Sequence, residues 1–217
     1  MKEDWLEEFL TSTDKPNERQ IKILQAAVDI FAEKGYASAS TNEIARRAGV
    51  AEGTIFRYYK TKKDLLFSIV FPILTKFAAP FFIQNFAKQV FEESYDSYEQ
   101  FLRAVIRNRF EFVQKHLPIL KILVQEVPFH PELKREIQEV FEEEIYLRFT
   151  QIIRYFQEQG HIIEIPPASV VRLTVSSIIG FLLTRFILLP EASWDDEREI
   201  EYTIQFILHG LIPRGDM

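Results

Sequence analysis

The residues best able to do chemistry in this chain are cations and hydroxyls. Within residues 44–63 stand Arg46, Arg47, Arg57, Lys60, Lys62 and Lys63 against a single acid, Glu52. A cluster of this sign attracts phosphate; charge alone would equally describe a solvated face. Its setting sharpens it. Residues 15–67 hold ten Lys/Arg and six Asp/Glu, while the whole chain carries a net charge of −6, so the basic patch sits in an otherwise acidic protein. Catalytic groupings are poorly provided. The four histidines (His116, His130, His161, His209) are scattered, and Glu126 and His130, four apart, are separated by Pro128. There is no nucleotide-phosphate glycine loop and no nucleophile elbow. With no cysteine, disulfides and thiolate metal sites are excluded, and a reducing cytoplasm is the expected setting. The expectation is a non-enzyme without a cofactor.

The elements that must position these residues are helices. Apolar residues recur at helical spacing almost throughout the 217 residues, no stretch alternates as a strand should, and the fold class expected is all-α. Residues 18–34 place Ile23, Leu24, Ala27, Ile30 and Phe31 on one face, with Gly35 as the stop. A short helix is expected from about Asn42 to Ala48, opened by Ser40 or Thr41, and a third from about Glu52 to Tyr59. The tight turn Ala48-Gly49-Val50 between them gives the crossing that sends a second helix into a DNA major groove. Ile44, Ala45, Ala48, Val50, Ile55 and Tyr59 have the spacing to bury against the first helix. Glu52, Gly53, Thr54, Phe56, Arg57 and Tyr58 are then left on an exposed surface. Beyond Lys62 an apolar segment runs to about Glu92, with a kink or break expected at Pro72 and Pro80. Further helices are expected at 97–117, 118–127, 131–159, 167–189 and 195–210, and His161 to Ile165 as a short extended connector.

The run Ile23-Leu24, Ala26-Ala27, Phe31, Gly35, then Thr41, Ile44-Ala45, Ala48-Gly49-Val50, Gly53-Thr54-Ile55-Phe56, Tyr58-Tyr59, Lys62 and Leu65 resembles the tetracycline-repressor (TetR) family over about residues 18–67. The resemblance implies a three-helix helix-turn-helix DNA-binding domain at 15–62, after an N-terminal extension (1–14). It implies a larger helical ligand-binding and dimerisation domain at 63–217. Thr41 would bond a phosphate, as would Tyr58 and Lys62 on either side of the recognition helix. Asn42, Glu52, Gly53, Thr54 and Phe56 would approach base edges, Gly53 letting backbone come close. Phe56 departs from the commoner tyrosine: it keeps apolar contact with a thymine methyl and loses a phosphate bond that Arg57 could replace, at a phosphate or a guanine edge. The partners implied are double-stranded operator DNA, a second copy of the chain and a hydrophobic small molecule; no membrane partner is expected.

The body adds aromatic bulk. Seventeen of the 20 phenylalanines lie at or after position 67. Packed rings explain such a stripe, and so does a ligand pocket, for which Phe77, Phe81 and Phe82 are the candidates. Arg109 falls amid Phe101, Leu102, Val105, Phe112 and Val113 on the buried face of its helix, where a cation needs an anion. Glu144 and a ligand's acidic group are the two alternatives. The nearly all-apolar 168–189 segment and the 195–210 helix suit a two-fold interface.

Overall fold

A computed structural model describes residues 16–78 and 95–210, without the side chains of 75–78 and 143–145. The described residues contain helices and turns and no strand. The chain divides into two compact units, residues 1–77 with 115–139, and residues 78–114 with 140–217.

In the first unit, α1 spans Glu18–Lys34. Asn17 opens it by accepting from the Arg19 and Gln20 amides, while the Gln20 side chain accepts from the Asn17 amide at 3.0 Å. This reciprocal cap satisfies N–H groups that a helix start otherwise leaves bare. Its inner face buries Ile23, Leu24, Ala27, Ile30 and Phe31. α2 spans Thr41–Ala48 and is capped by Ser40, whose hydroxyl accepts from the Glu43 amide at 3.1 Å. It stops at Gly49, whose φ of 68° and ψ of 33° lie in the left-handed region that favours glycine. α3 follows at once, Glu52–Tyr58. Ile44, Ala45, Ala48 and Ile55 are buried beneath these two helices, while Val50 and Tyr59 are half-buried. α4, Lys62–Ala78, opens with a second reciprocal cap between Thr61 and Asp64 (2.9 and 3.0 Å).

Of the kink or break expected at Pro72, the break does not occur: α4 continues through it. A proline inside a helix costs about 3 kcal/mol or more. Here Ile69 and Val70 before it and Ile73 and Leu74 after it are all buried, at roughly 1.5–3 kcal/mol each, so burial outweighs the lost hydrogen bond. Pro80 lies outside the described residues.

α5 runs Tyr98–Glu126 as two helices joined across a kink, close to the two expected. The expected boundary survives as a kink: His116 has φ −105° and ψ 15°, two residues before Pro118. A 3-10 turn, Val127–Phe129, leads to α6, Pro131–Glu139. The expected single helix over 131–159 is interrupted by π geometry at Val140–Tyr146 before α7, Leu147–Glu158. The 161–165 stretch is bent, not extended, because the Gln157 amide donates to the Ile163 and Ile165 carbonyls at 2.9 and 2.8 Å.

α8, Pro167–Leu183, continues in π geometry through Thr184–Leu188, and α9 spans Asp196–His209. In the second unit α8 packs on α7 and α9, around Phe101, Phe149, Phe156, Val171, Ile178 and Ile204. A buried bond of 2.9 Å joins Tyr98 to Thr174, and burial pushes the Tyr98 phenol up to about 12. Arg103 pairs with Glu201 (2.6 Å) and Arg107 with Glu197, fastening α5 to α9. The Pro167–Leu188 stretch is long and apolar enough to cross a bilayer by composition alone, with mean hydropathy 1.7. A third of that stretch is buried, and Thr174 within it bonds to Tyr98.

Candidate nucleic-acid interface

The nine residues assigned to DNA from the sequence fall on α2, α3 and the first residue of α4. Asn42, Gly53, Phe56 and Arg57 are exposed; Thr41, Glu52, Thr54, Tyr58 and Lys62 are half-buried. Phe56, 46% exposed, presents a large apolar ring to solvent from the middle of α3, next to Arg57. Ile55, fully buried, turns that ring outward, since consecutive helical residues cannot share a face.

Contacts join α2 to α3. The Thr41 hydroxyl donates to Glu52 Oε1 at 2.5 Å and the Asn42 amide approaches Glu52 Oε2 at 3.5 Å. One carboxylate thus organises the hydroxyl expected at a phosphate and the amide expected at a base edge. Tyr58 is tied elsewhere: its hydroxyl accepts from Asn17 Nδ2 at 3.0 Å, linking the end of α3 to the start of α1. The Arg57 guanidinium lies 5.9 Å from the Tyr58 ring centroid. Lys62 donates to the carbonyls of Tyr36 and Ala39, each at 2.8 Å, and sits 4.4 Å from the Tyr36 ring centroid. Burial pulls its pKa down, with Glu126 acting in the opposite sense. A Cβ added at Gly53 would meet nothing within 4 Å, so the protein itself leaves room for a side chain there.

The basic patch is partly neutralised by its own neighbours. Arg47 makes a bidentate pair with Glu33 (2.8 and 3.1 Å), and Lys63 pairs with Glu132 at 2.6 Å. Arg46, Arg57 and Lys60 remain exposed. Asn17, Glu33 and Tyr36 were missed by sequence reasoning as partners of this surface. Asn17 and Tyr58 are 41 residues apart, and no local pattern announces such a pair.

Among the ligand candidates, Arg109 is 4% exposed, as its spacing predicts. Desolvation lowers its pKa to about 10, so it stays charged at neutral pH. Its guanidinium donates to Asn108 Oδ1 (2.6 and 3.2 Å) and lies 4.8 Å from the Phe112 ring centroid. The side chains of Phe77, Phe81, Phe82 and Glu144 lie outside the described residues. Among the described residues no cluster of His, Cys, Asp or Glu could hold a metal.

Comparison with known proteins converges on the same stretch. Residues 23–69 match the family model described as bacterial regulatory proteins, tetR family. The Bacillus subtilis fatty acid metabolism regulator protein is 45% identical over 51 residues, 24% of this chain and 26% of that protein. The match therefore spans about a quarter of that relative's length. The transcriptional activator FasR of Mycolicibacterium smegmatis is 22% identical over 196 residues, 90% of this chain and 84% of that one. Regulation, not catalysis, is the role these names carry, in agreement with the non-enzymatic expectation. Among solved structures, the fatty acid degradation regulator FadR of Bacillus halodurans has a TM-score of 0.70 at 22% identity, covering 93% of this chain and 100% of that one. Bacillus subtilis FadR in complex with stearoyl-CoA has a TM-score of 0.67 at 22% identity, covering 88% and 99%. These likenesses extend the shared fold, a helix-turn-helix followed by a helical body, over nearly the whole chain. By the match at residues 23–69, the helix-turn-helix of this chain is similar to that of the tetR family of bacterial regulatory proteins.

Proposed function

We propose that this chain is a ligand-responsive transcription regulator that binds a near-palindromic operator as a homodimer and is released by a hydrophobic small molecule of acyl-chain type. The observation that carries the DNA-binding part is the surface formed by α2 and α3, where Phe56 and Arg57 project from a buried Ile55 and Glu52 organises Thr41 and Asn42. Thr41 and Tyr58 serve as phosphate contacts; Asn42, Glu52, Gly53, Thr54 and Phe56 read base edges, with Arg57 at a phosphate or guanine. An operator placed over a promoter makes the protein a repressor, and the body of the chain, residues 63–217, carries ligand and dimer contacts. As a DNA-binding regulator it acts in the cytoplasm.

The dimer is supported by apolar side chains that one copy leaves in water. Leu173 and Ile179 on α8 are 50% and 39% exposed, and Tyr202 and Phe206 on α9 are 57% and 44% exposed. A second copy related by a two-fold axis covers both helices in a four-helix seam. The acyl class is supported by the relatives named for fatty acid metabolism and by the stearoyl-CoA held in the Bacillus subtilis structure. Arg109, buried yet charged at neutral pH, is our candidate for the acidic end of such a ligand.

The experiment is a DNA-release titration, following operator occupancy as stearoyl-CoA or a neutral ester of equal chain length is added to wild type and to Arg109→Met. The acyl-CoA should release DNA from wild type, and Arg109→Met should narrow its advantage over the ester. Identical responses in both proteins would make Arg109 structural. Unchanged occupancy across a panel of acyl compounds would overturn the proposed ligand class.

A further inference from the structure

Lys62 is held by backbone in a way that a phosphate contact must undo. Its ammonium has three donors; the carbonyls of Tyr36 and Ala39 accept at 2.8 Å and that of Ala37 stands at 3.5 Å. The Tyr36 ring closes over the cation at 4.4 Å. Behind that ring stands His130, edge-on to Tyr36 with centroids 5.4 Å apart at 81°. Phe67 meets the same imidazole edge-on at 5.7 Å. His130 Nε2 lies 3.3 Å from the Glu126 carboxylate, both side chains being nearly buried. Tyr36 is thus wedged between the cation at the start of α4 and the turn that ends α5.

Charge-assisted hydrogen bonds are about twice as strong as neutral ones, and a partly desolvated cation over a ring adds to them. An ammonium drawn away to a DNA phosphate gives up these carbonyls and the ring. How firmly Tyr36 is held over Lys62 therefore enters the DNA affinity directly. Glu126 adds to the hold, since its negative charge favours the ammonium where it stands.

Building on the DNA-binding function proposed above, we propose that Tyr36 and His130 are positioning residues for DNA binding. They keep Lys62 in a carbonyl cage, so that the turn Val127–Phe129 and its neighbours Glu126 and His130 set how readily Lys62 reaches a phosphate. A displacement at the end of α5 that presses His130 on Tyr36 tightens the cage and weakens DNA binding; one that withdraws it strengthens binding. Coupling of this kind needs a contact that differs between two states, and this contact is a single cation with two alternative sets of acceptors.

The test measures fluorescence anisotropy of a labelled duplex, selected by the wild-type protein from a random pool, over a series of salt concentrations. Wild type, His130→Ala, Lys62→Met and the double variant are compared, with Glu126→Gln as a second probe that preserves packing. Selective binding by wild type establishes the DNA-binding function independently of the cage. His130→Ala and Glu126→Gln should each bind several-fold more tightly. Their plots of log affinity against log salt should steepen by about 0.9, the increment for one added phosphate contact. In the Lys62→Met background both effects should vanish, which a merely structural role of His130 would not produce. Unchanged or weaker binding by the single variants, or gains that persist without Lys62, would overturn the proposal.

Discussion

Gly53, placed at a base edge in the proposed function, is a position where the fold and the proposed DNA contact make different demands. It lies in the first turn of α3, and a methyl group there would meet nothing within 4 Å. Alanine is the better helix residue by about 0.5–1 kcal/mol, so stability alone argues against glycine at this position. Gly53→Ala should therefore raise the melting temperature slightly while lowering operator affinity, because in the proposed interface the methyl group would stand where backbone approaches the bases. Melting curves and DNA titrations on the same preparation check this, and a variant that gains stability without losing affinity would remove Gly53 from the interface. Residue types on α2 and α3 were legible because a helix-turn-helix fixes which positions face inward: Ile44, Ala45 and Ile55 are buried, and Asn42, Phe56 and Arg57 are exposed. Partners were less legible. Lys62, assigned to a phosphate, also reaches carbonyls 23 and 26 residues back in the chain, which its spacing did not announce. A long flexible cation can reach many acceptors, and its spacing does not say which one it reaches.

Elements show the same division between local and distant causes. α1 ends, and α2 begins and ends, close to where Gly35, Ser40 and Gly49 predict, since these residues act within a few residues of themselves. Prolines were read less evenly: Pro72 is overridden by buried neighbours on both sides, whereas the boundary expected near Pro118 is a kink at His116 where two helices meet. The π segments at Val140–Tyr146 and Thr184–Leu188 have no signature in helical periodicity. Ion pairs between elements set a modest part of the stability. Arg103 holds the Glu201 carboxyl below its ordinary value of 4.5, with Gln205 adding a second hydrogen bond. A folded-state pKa depressed in this way contributes stability above the ordinary value, and that contribution is lost as pH falls through the folded value. Both partners are more than a third exposed, so solvent screening keeps the pair to less than about 1 kcal/mol. Glu201→Gln should lower the melting temperature slightly at pH 7 and by less at about pH 3. Thermal melts at the two pH values check this; an equal loss at both would assign the effect to packing.

For the whole molecule, the proposed function depends on a dimer that holds two recognition helices at a fixed spacing. A two-fold dimer sets them about 34–36 Å apart, one turn of DNA, and demands a near-palindromic site. Ile179 is 39% exposed on α8, so an acid there should leave the single chain folded while disfavouring the seam. Ile179→Asp should sediment as a folded monomer at micromolar concentration and lose operator affinity steeply. A dimeric Ile179→Asp, or a monomeric wild type that still protects a palindrome, would remove α8 from the interface.

Selection of duplexes from a random pool by the purified wild-type protein tests the central claim most directly, that α2 and α3 read DNA as a symmetric pair. The account predicts enrichment of a near-palindrome with half-sites about one helical turn apart, and loss of preference at individual bases, worth roughly 1–3 kcal/mol, with Thr54→Ala or Phe56→Ala. A pool that emerges unenriched, with every duplex retained equally, would contradict it.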